Sequence, residues 1–167
     1  WKQNYREKLK SFQQHKKIWV HCASMGEFEQ GRPLMEFIKK QHPEYKIILT
    51  FFSPSGFEFC KNYEKADAVF YLPYDSISNA KTFLEIVNPT KVFFIKYEFW
   101  VNYLNQIKQK DIEAYLISAV FKNHHPFFKW YGNVFIKSLT AFKILFVQDK
   151  NSEQLLRSIS ITNVKIC

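Results

Sequence analysis

Short apolar runs alternate along this chain with longer stretches of helical periodicity, and no other feature constrains its fold so strongly. The runs fall at residues 17–22, 45–51, 68–71, 91–95, 113–117, 143–147 and 163–166, and they are rich in β-branched and aromatic residues. Between them, residues 27–41, 55–64, 77–87, 99–109, 126–139 and 151–158 read as helices. Because the runs are apolar nearly throughout, the strands are expected to be covered on both faces. Alternating β and α units with short connections imply an α/β fold: a Rossmann-like, doubly wound, mainly parallel sheet with helices on both faces. Its crossovers should be right-handed. No internal linker interrupts residues 17–167, which read as one domain.

Local chemistry supports the boundaries. Ser53-Pro54-Ser55-Gly56 makes a turn into a helix that Ser53 or Ser55 can cap. Pro73 and Asp75 punctuate the next strand exit, with Asp75 or Ser76 as the cap. Asn88-Pro89 ends a helix ahead of a strand. Pro33 is expected within the first turns of its helix, where a missing N–H is tolerated. Residues 1–16 differ from the rest. Trp1, Tyr5, Leu9 and Phe12 recur at helical spacing among Lys2, Arg6, Lys8, Lys10 and Lys16. Such a basic amphipathic helix can pack on a domain edge. It can also lie against a membrane, where anionic headgroups attract each lysine by about 1 kcal/mol; that is the placement expected for 1–16.

The chain carries 24 Lys and Arg against 15 Asp and Glu, a net charge of +9. That balance suits an anionic partner (phosphates, a membrane surface, nucleic acid) or serves solubility alone. Cys22, Cys60 and Cys167 are odd in number and lack C-x-x-C spacing. They suggest neither a zinc site nor a disulfide framework. No apolar run approaches the roughly 18–20 residues of a membrane span.

In a parallel sheet the loops leaving the strand C-termini share one edge, where ligands bind. This chain places there Ser24, Gly26 and Glu27; Ser53, Ser55 and Gly56; Pro73 and Asp75; Lys96, Glu98, Trp100 and Asn102; Ser118, Lys122, Asn123, His124 and His125; and Gln148 and Asp149. One glycine in Ser24-Met25-Gly26-Glu27 is too few for a dinucleotide fingerprint, and neither a P-loop nor a Gly-x-Ser-x-Gly elbow occurs. Adjacent histidines at 124 and 125 diverge on any regular element, so paired metal ligation is not expected. Glu27 is either a first-turn acid stabilised by the helix dipole by about 0.3–1 kcal/mol or a general base. The dipole weakens a base, but late proton transfer to an oxocarbenium-like transition state tolerates a weak one. Glu98 is a second candidate, and Trp100 beside it can stack on a sugar face or pack in the core.

Together these loops resemble the N-terminal half of the 3-deoxy-D-manno-octulosonic acid (Kdo) transferases, over about residues 17–167. A strand followed by S-x-G-E is matched by Ser24-Met25-Gly26-Glu27, and a T-P-T-G-like turn by Ser53-Pro54-Ser55-Gly56. Y-x-P-x-D is matched by Tyr71-Leu72-Pro73-Tyr74-Asp75. E-x-E-x-W-P-N is matched by Lys96-Tyr97-Glu98-Phe99-Trp100-Val101-Asn102. Lys96 replaces an acid, Val101 a proline, and Ser118-Ala119-Val120 stands where the family reads N-A-R, which removes an arginine at 120.

The resemblance implies the acceptor domain of an inverting GT-B glycosyltransferase that moves Kdo from CMP-Kdo to a lipid A precursor. Glu27 would be its catalytic base. Ser24, Gly26, Ser53, Ser55, Gly56, Glu98, Trp100 and Asn102 would shape the acceptor site, with neither cofactor nor metal. CMP-Kdo would bind mainly in a C-terminal domain beyond residue 167, so this piece alone is expected to be inactive. The basic surface would meet lipid A phosphates and the cytoplasmic face of the bacterial inner membrane rather than nucleic acid. Two alternatives stay open: a non-catalytic Rossmann-like module that binds anions or nucleic acid, and a GT-B transferase with another acceptor.

Overall fold

The computed structural model describes the backbone of residues 1–167 and every side chain except that of Val134. Seven parallel strands form one sheet: β1 (Lys17–Cys22), β2 (Lys46–Phe51), β3 (Ala68–Tyr71), β4 (Lys91–Ile95), β5 (Glu113–Ala119), β6 (Phe142–Val147) and β7 (Val164–Ile166). Their order is β3-β2-β1-β4-β5-β6-β7. The helices are α1 (Lys2–Leu9), α2 (Met25–Gln41), α3 (Pro54–Cys60), α4 (Ile77–Val87), α5 (Val101–Gln109), α6 (Asn133–Leu139) and α7 (Lys150–Ser158). The doubly wound Rossmann-like reading is therefore correct. The strand order reverses between β1 and β4, which makes that junction the switch point of the sheet.

Strand alternation divides the core in two. Trp19, Phe70, Phe94 and Leu116 face one side, with Phe83, Tyr103, Leu139 and Leu156 of the helices α4 to α7. Val20, Leu49 and Ile95 face the other side, with Phe28, Met35 and Ile38 of α2 and Cys60 of α3. Full coverage of both faces holds for β1 and β2 but not for the later strands. In β4 and β5 the residues Phe93, Tyr115 and Ile117 are only half-buried. Helices α4 to α7 pack into the core on the first side, leaving α2 and α3 alone on the second.

Tertiary contacts move several boundaries. Pro33 lies well inside α2, not in its first turns, and is exposed there. The helix expected over 55–64 stops at Cys60, because the chain turns back to set Tyr63 edge-on to Phe28 with ring centroids 4.9 Å apart. The helix expected over 126–139 is broken. Pro126–Phe128 forms one 3-10 turn, Lys129 is extended, and α6 begins only at Asn133. Asn88 closes α4 in the left-handed conformation (φ 47°), directly before Pro89.

The first segment packs onto this frame. Tyr5 stacks on Phe70 with centroids 3.8 Å apart, and Tyr5 and Leu9 are buried in the core. Lys17 fastens the segment to β1 by donating to the carbonyls of Phe12 (3.0 Å) and His15 (3.1 Å). The apolar stripe of α1 is thus taken up by β3 and α4, and its exposed side keeps Lys2, Arg6 and Lys8, with Lys10 exposed just after it.

The sheet edge opposite the candidate site is held by charge. Glu113 pairs with Lys91 and Lys143 and accepts from the Tyr115 hydroxyl at 3.2 Å. Hydrogen bonds from Lys143 and Lys91 pull its pKa from 4.5 to about 2. A carboxyl depressed in this way contributes stability above its unfolded value, and the contribution is lost as pH falls from 4.5 towards 2. Because 34% of the side chain is exposed, the effect is modest. In urea unfolding, the protein and its Glu113→Gln variant should differ at neutral pH and converge near pH 2. A gap that persists in acid excludes this account.

Candidate active site at the sheet switch point

The loops expected at the carboxyl edge are there, joined by hydrogen bonds between them. The Ala23 carbonyl, at the end of β1, accepts from Phe52 N–H (3.2 Å) and Ser53 N–H (2.8 Å) after β2. Asp75, after β3, accepts from the backbone N–H groups of Asn102 (3.2 Å) and Tyr103 (3.3 Å) and so caps α5 from outside. Tyr103 also donates its hydroxyl to the Pro73 carbonyl at 2.9 Å. These bonds hold the ends of β1 to β4 in one rim.

Glu27 sits in the first turn of α2, half-buried. Ser24 N–H donates to its Oε2 at 3.0 Å, and the Ser24 hydroxyl bonds the same oxygen. This is one half of a capping box, so the helix-start role of Glu27 is real. Its other oxygen, Oε1, has no hydrogen-bond partner among the described residues. One oxygen is held and the second is unpaired among the described residues, an arrangement that can accept a proton from a ligand. Gly26 is exposed beside it.

Glu98 faces Glu27's loop from the other side of the switch point. Lys96, in the left-handed conformation at φ 72°, turns the chain sharply after β4. Glu98 Oε2 then accepts from His21 Nε2–H at 3.2 Å and from Trp100 Nε1–H. A carboxylate only accepts, so Nε2 carries the ring proton. In the neutral tautomer His21 Nδ1 accepts the Thr50 hydroxyl at 2.9 Å, and Thr50 Oγ1 accepts from Trp19 Nε1–H at 2.7 Å. The chain Trp19–Thr50–His21–Glu98–Trp100 leaves each of these buried groups partnered. Glu98 is accordingly a member of a structural network, with 12% of its side chain exposed. Trp100 packs edge-on against Phe52 (5.1 Å) and His21 (5.3 Å) and is half-buried. Burial, then Glu27, Cys60 and Glu98, push the Cys22 thiol well above its ordinary value. Both carboxylates therefore lie within electrostatic reach of that one buried thiol.

The remaining expected site residues divide between frame and surface. Asn102 is engaged with Asp75 through its backbone N–H and, at 3.3 Å, through its side-chain Nδ2. Ser53 caps α3 by accepting from Gly56 N–H at 3.2 Å, so that N–H is not available to an acceptor. Ser55 is exposed, 3.1 Å from the Ser53 hydroxyl. Gly56 is present for close approach: a Cβ there would lie 2.6 Å from the Phe51 ring and 3.1 Å from the Ser24 backbone. Gly56→Ala should therefore cost about 1–2 kcal/mol of stability, read as a lowered thermal midpoint; an unchanged midpoint would show that Phe51 yields freely.

Past Val120, which is half-buried, an open groove of about 460 Å³ runs between Tyr97, Phe99, Phe127 and Phe135, with Lys122, His124 and His125 along it. Burial, then the neighbouring His124 and Lys122, hold His125 below the ordinary imidazole value. Among the described residues no group of three or more His, Cys, Asp or Glu side chains gathers as a metal site would. Among the described residues no helix is long and apolar enough to cross a membrane.

Sequence reasoning missed His21, Thr50 and the groove. A signal for the first two existed: past the lysine that opens each strand, each is the one polar side chain in an apolar run, and they are register partners in adjacent strands. The groove had no such signal, because it depends on where the broken 126–139 segment folds.

Comparison with known proteins places the chain among relatives. The family model described as 3-Deoxy-D-manno-octulosonic-acid transferase (kdotransferase) matches residues 2–167. The 3-deoxy-D-manno-octulosonic acid transferase of Chlamydia trachomatis serovar D is 28% identical over 155 residues, 89% of this chain and 35% of that protein. The Aquifex aeolicus enzyme of the same name is 36% identical over 84 residues, 50% of this chain and 23% of that protein. The chain thus spans about a third, or less, of the length of such relatives. Among solved structures, UDP-GlcNAc 2-epimerase from Neisseria meningitidis superposes with a TM-score of 0.65 at 14% identity, covering 90% of this chain and 46% of that one. At that identity the likeness concerns the fold alone.

Proposed function

This chain belongs to the Kdo transferase N-terminal family, and from that premise we propose that it forms the acceptor half of an inverting glycosyltransferase. In this reading Glu27 Oε1 takes the proton of an acceptor sugar hydroxyl on a lipid A precursor. The hydroxyl oxygen forms its bond to the anomeric carbon of CMP-Kdo as the bond to the phosphate oxygen breaks and CMP departs. The observation that carries the reading is the divided carboxylate of Glu27, with Oε2 held by Ser24 and Oε1 without a hydrogen-bond partner among the described residues. A carboxylate suffices as the base when the proton moves late, after the leaving group has largely gone.

Ser55 is the exposed hydroxyl that would meet the acceptor, while Ser53, Gly56, Glu98 and Asn102 hold the frame around it. Trp100 walls the site beside Phe52. CMP-Kdo would be bound mainly by residues beyond 167, and the protein would work at the cytoplasmic face of the bacterial inner membrane. There its excess of lysine and arginine meets lipid phosphates. The test is transfer from CMP-Kdo to lipid A precursor by the full-length protein and by its Glu27→Gln variant. Product from the first and its loss in the second are expected; no product from the unaltered protein refutes the substrate assignment.

A further inference from the structure

The loop between β5 and α6 presents a feature that acceptor chemistry at Glu27 does not use. Trp130 is 93% exposed and Tyr131 is 52% exposed, side by side with centroids 5.4 Å apart. Folding alone gives no reason to leave so large an aromatic pair in water. The pair is also held out by a built turn. Lys129 is extended, Gly132 N–H returns to the Lys129 carbonyl at 2.8 Å, and a Cβ at 132 would lie 2.6 Å from the carbonyls of Pro126 and Phe127. Only glycine closes this loop without moving its backbone.

The surroundings indicate the partner. No acidic residue occurs between Glu113 and Asp149, while Lys122, Lys129 and Lys137 in that interval are all exposed. The groove of about 460 Å³ lies in the same stretch, walled by Phe127 and Phe135 together with Tyr97 and Phe99. Tryptophan and tyrosine favour the headgroup layer of a bilayer, where the ring meets hydrocarbon and the polar tip meets water. Lysines near an anionic surface add electrostatic attraction. A protein partner would satisfy the aromatics but gives no reason for excluding every carboxylate from this stretch.

We propose that the loop at residues 122–132 is the membrane-docking face of this protein, with Trp130 and Tyr131 seated in the headgroup layer of an anionic bilayer. The groove lined by Lys122 and Phe127 of the same loop would then take up apolar parts of the lipid. This deepens the reading of a lipid-linked acceptor, but it can be tested without CMP-Kdo or transfer, so either can fail alone.

The experiment is co-sedimentation of the protein with phosphatidylcholine vesicles, with and without phosphatidylglycerol. Binding is expected to the anionic vesicles, and a Trp130→Ser/Tyr131→Ser double variant should lose about tenfold or more of it. Phe59→Ser, which removes another exposed aromatic (73%) from α3, should bind like the unaltered protein. Brominated phosphatidylglycerol should quench tryptophan emission, and Trp130→Phe, which keeps a ring in place, should remove that quenching while preserving binding. The proposal is overturned if the unaltered protein ignores anionic vesicles or if the Phe59 variant falls equally. It is also overturned if the double variant binds as before, which would leave the aromatic pair to a protein partner. Since Trp130 and Tyr131 are exposed, these variants should keep the fold, and an unchanged thermal midpoint verifies that.

Discussion

Glu27→Gln in the full-length protein should lower the turnover number by about 10²–10⁴-fold, the contribution of a well-placed general base. The substitution is nearly isosteric, and Gln can still offer an oxygen to the Ser24 N–H that holds Oε2. The lost property is the capacity to take a proton at Oε1. Removing the charge from the first turn of α2 should cost only about 0.3–1 kcal/mol of stability. The two readings of Glu27 therefore separate. A helix-start acid alone gives a small stability loss with transfer intact, whereas a base gives the same small loss with transfer nearly abolished and the acceptor KM little changed. Near-normal turnover by the variant would remove Glu27 from the mechanism.

His21→Phe should destabilise the fold by about 3 kcal/mol, although it preserves most of the buried volume. The ring of His21 is fully buried and serves two partners, Thr50 on β2 and Glu98 after β4. Phenylalanine leaves the Thr50 hydroxyl without this bond and a largely buried Glu98 with Trp100 as its one remaining donor. The cost is that of two polar groups losing a partner in a site that water reaches poorly. It should appear as a lower urea midpoint with an unchanged denaturant slope. Faster amide exchange through residues 96–100 should accompany it, because Glu98 ties that loop to β1. A change within about 0.5 kcal/mol would mean that the network merely accompanies packing.

These two residues show how differently a site can be written into a chain. Glu27 is legible because its role is local: a strand end, a glycine-bearing turn and a helix start lie within a few residues. Its family-like company at Ser53, Asp75 and Glu98 is legible for a similar reason, since strand exits must share an edge in a parallel sheet. The helix caps and the stop at Asn88 are likewise local: the sequence offers Ser53 or Ser55 and Asp75 or Ser76, and the structure uses Ser53 and Ser76. Asn102, expected at the site, also braces Asp75 across the rim, a contact between loops 27 residues apart. The unbroken helix expected at 126–139 failed because periodicity cannot register that the chain runs extended at Lys129, after Phe127 has been buried in the wall of the groove.

Sequence by itself determined the α/β alternation, the parallel sheet, the shared edge of functional loops and the family signatures around Glu27. All of these follow from patterns a few residues to one βα unit long, where backbone periodicity and turn chemistry act directly. Only the tertiary structure decided which strands adjoin. It placed β4 beside β1, and so brought Glu98 to His21 across 77 residues of chain. It also left one face of β4 and β5 half-covered and held Trp130 out in solvent. Such outcomes depend on contacts between distant segments, whose free energy arises from packing and charge in three dimensions and has no counterpart in local order.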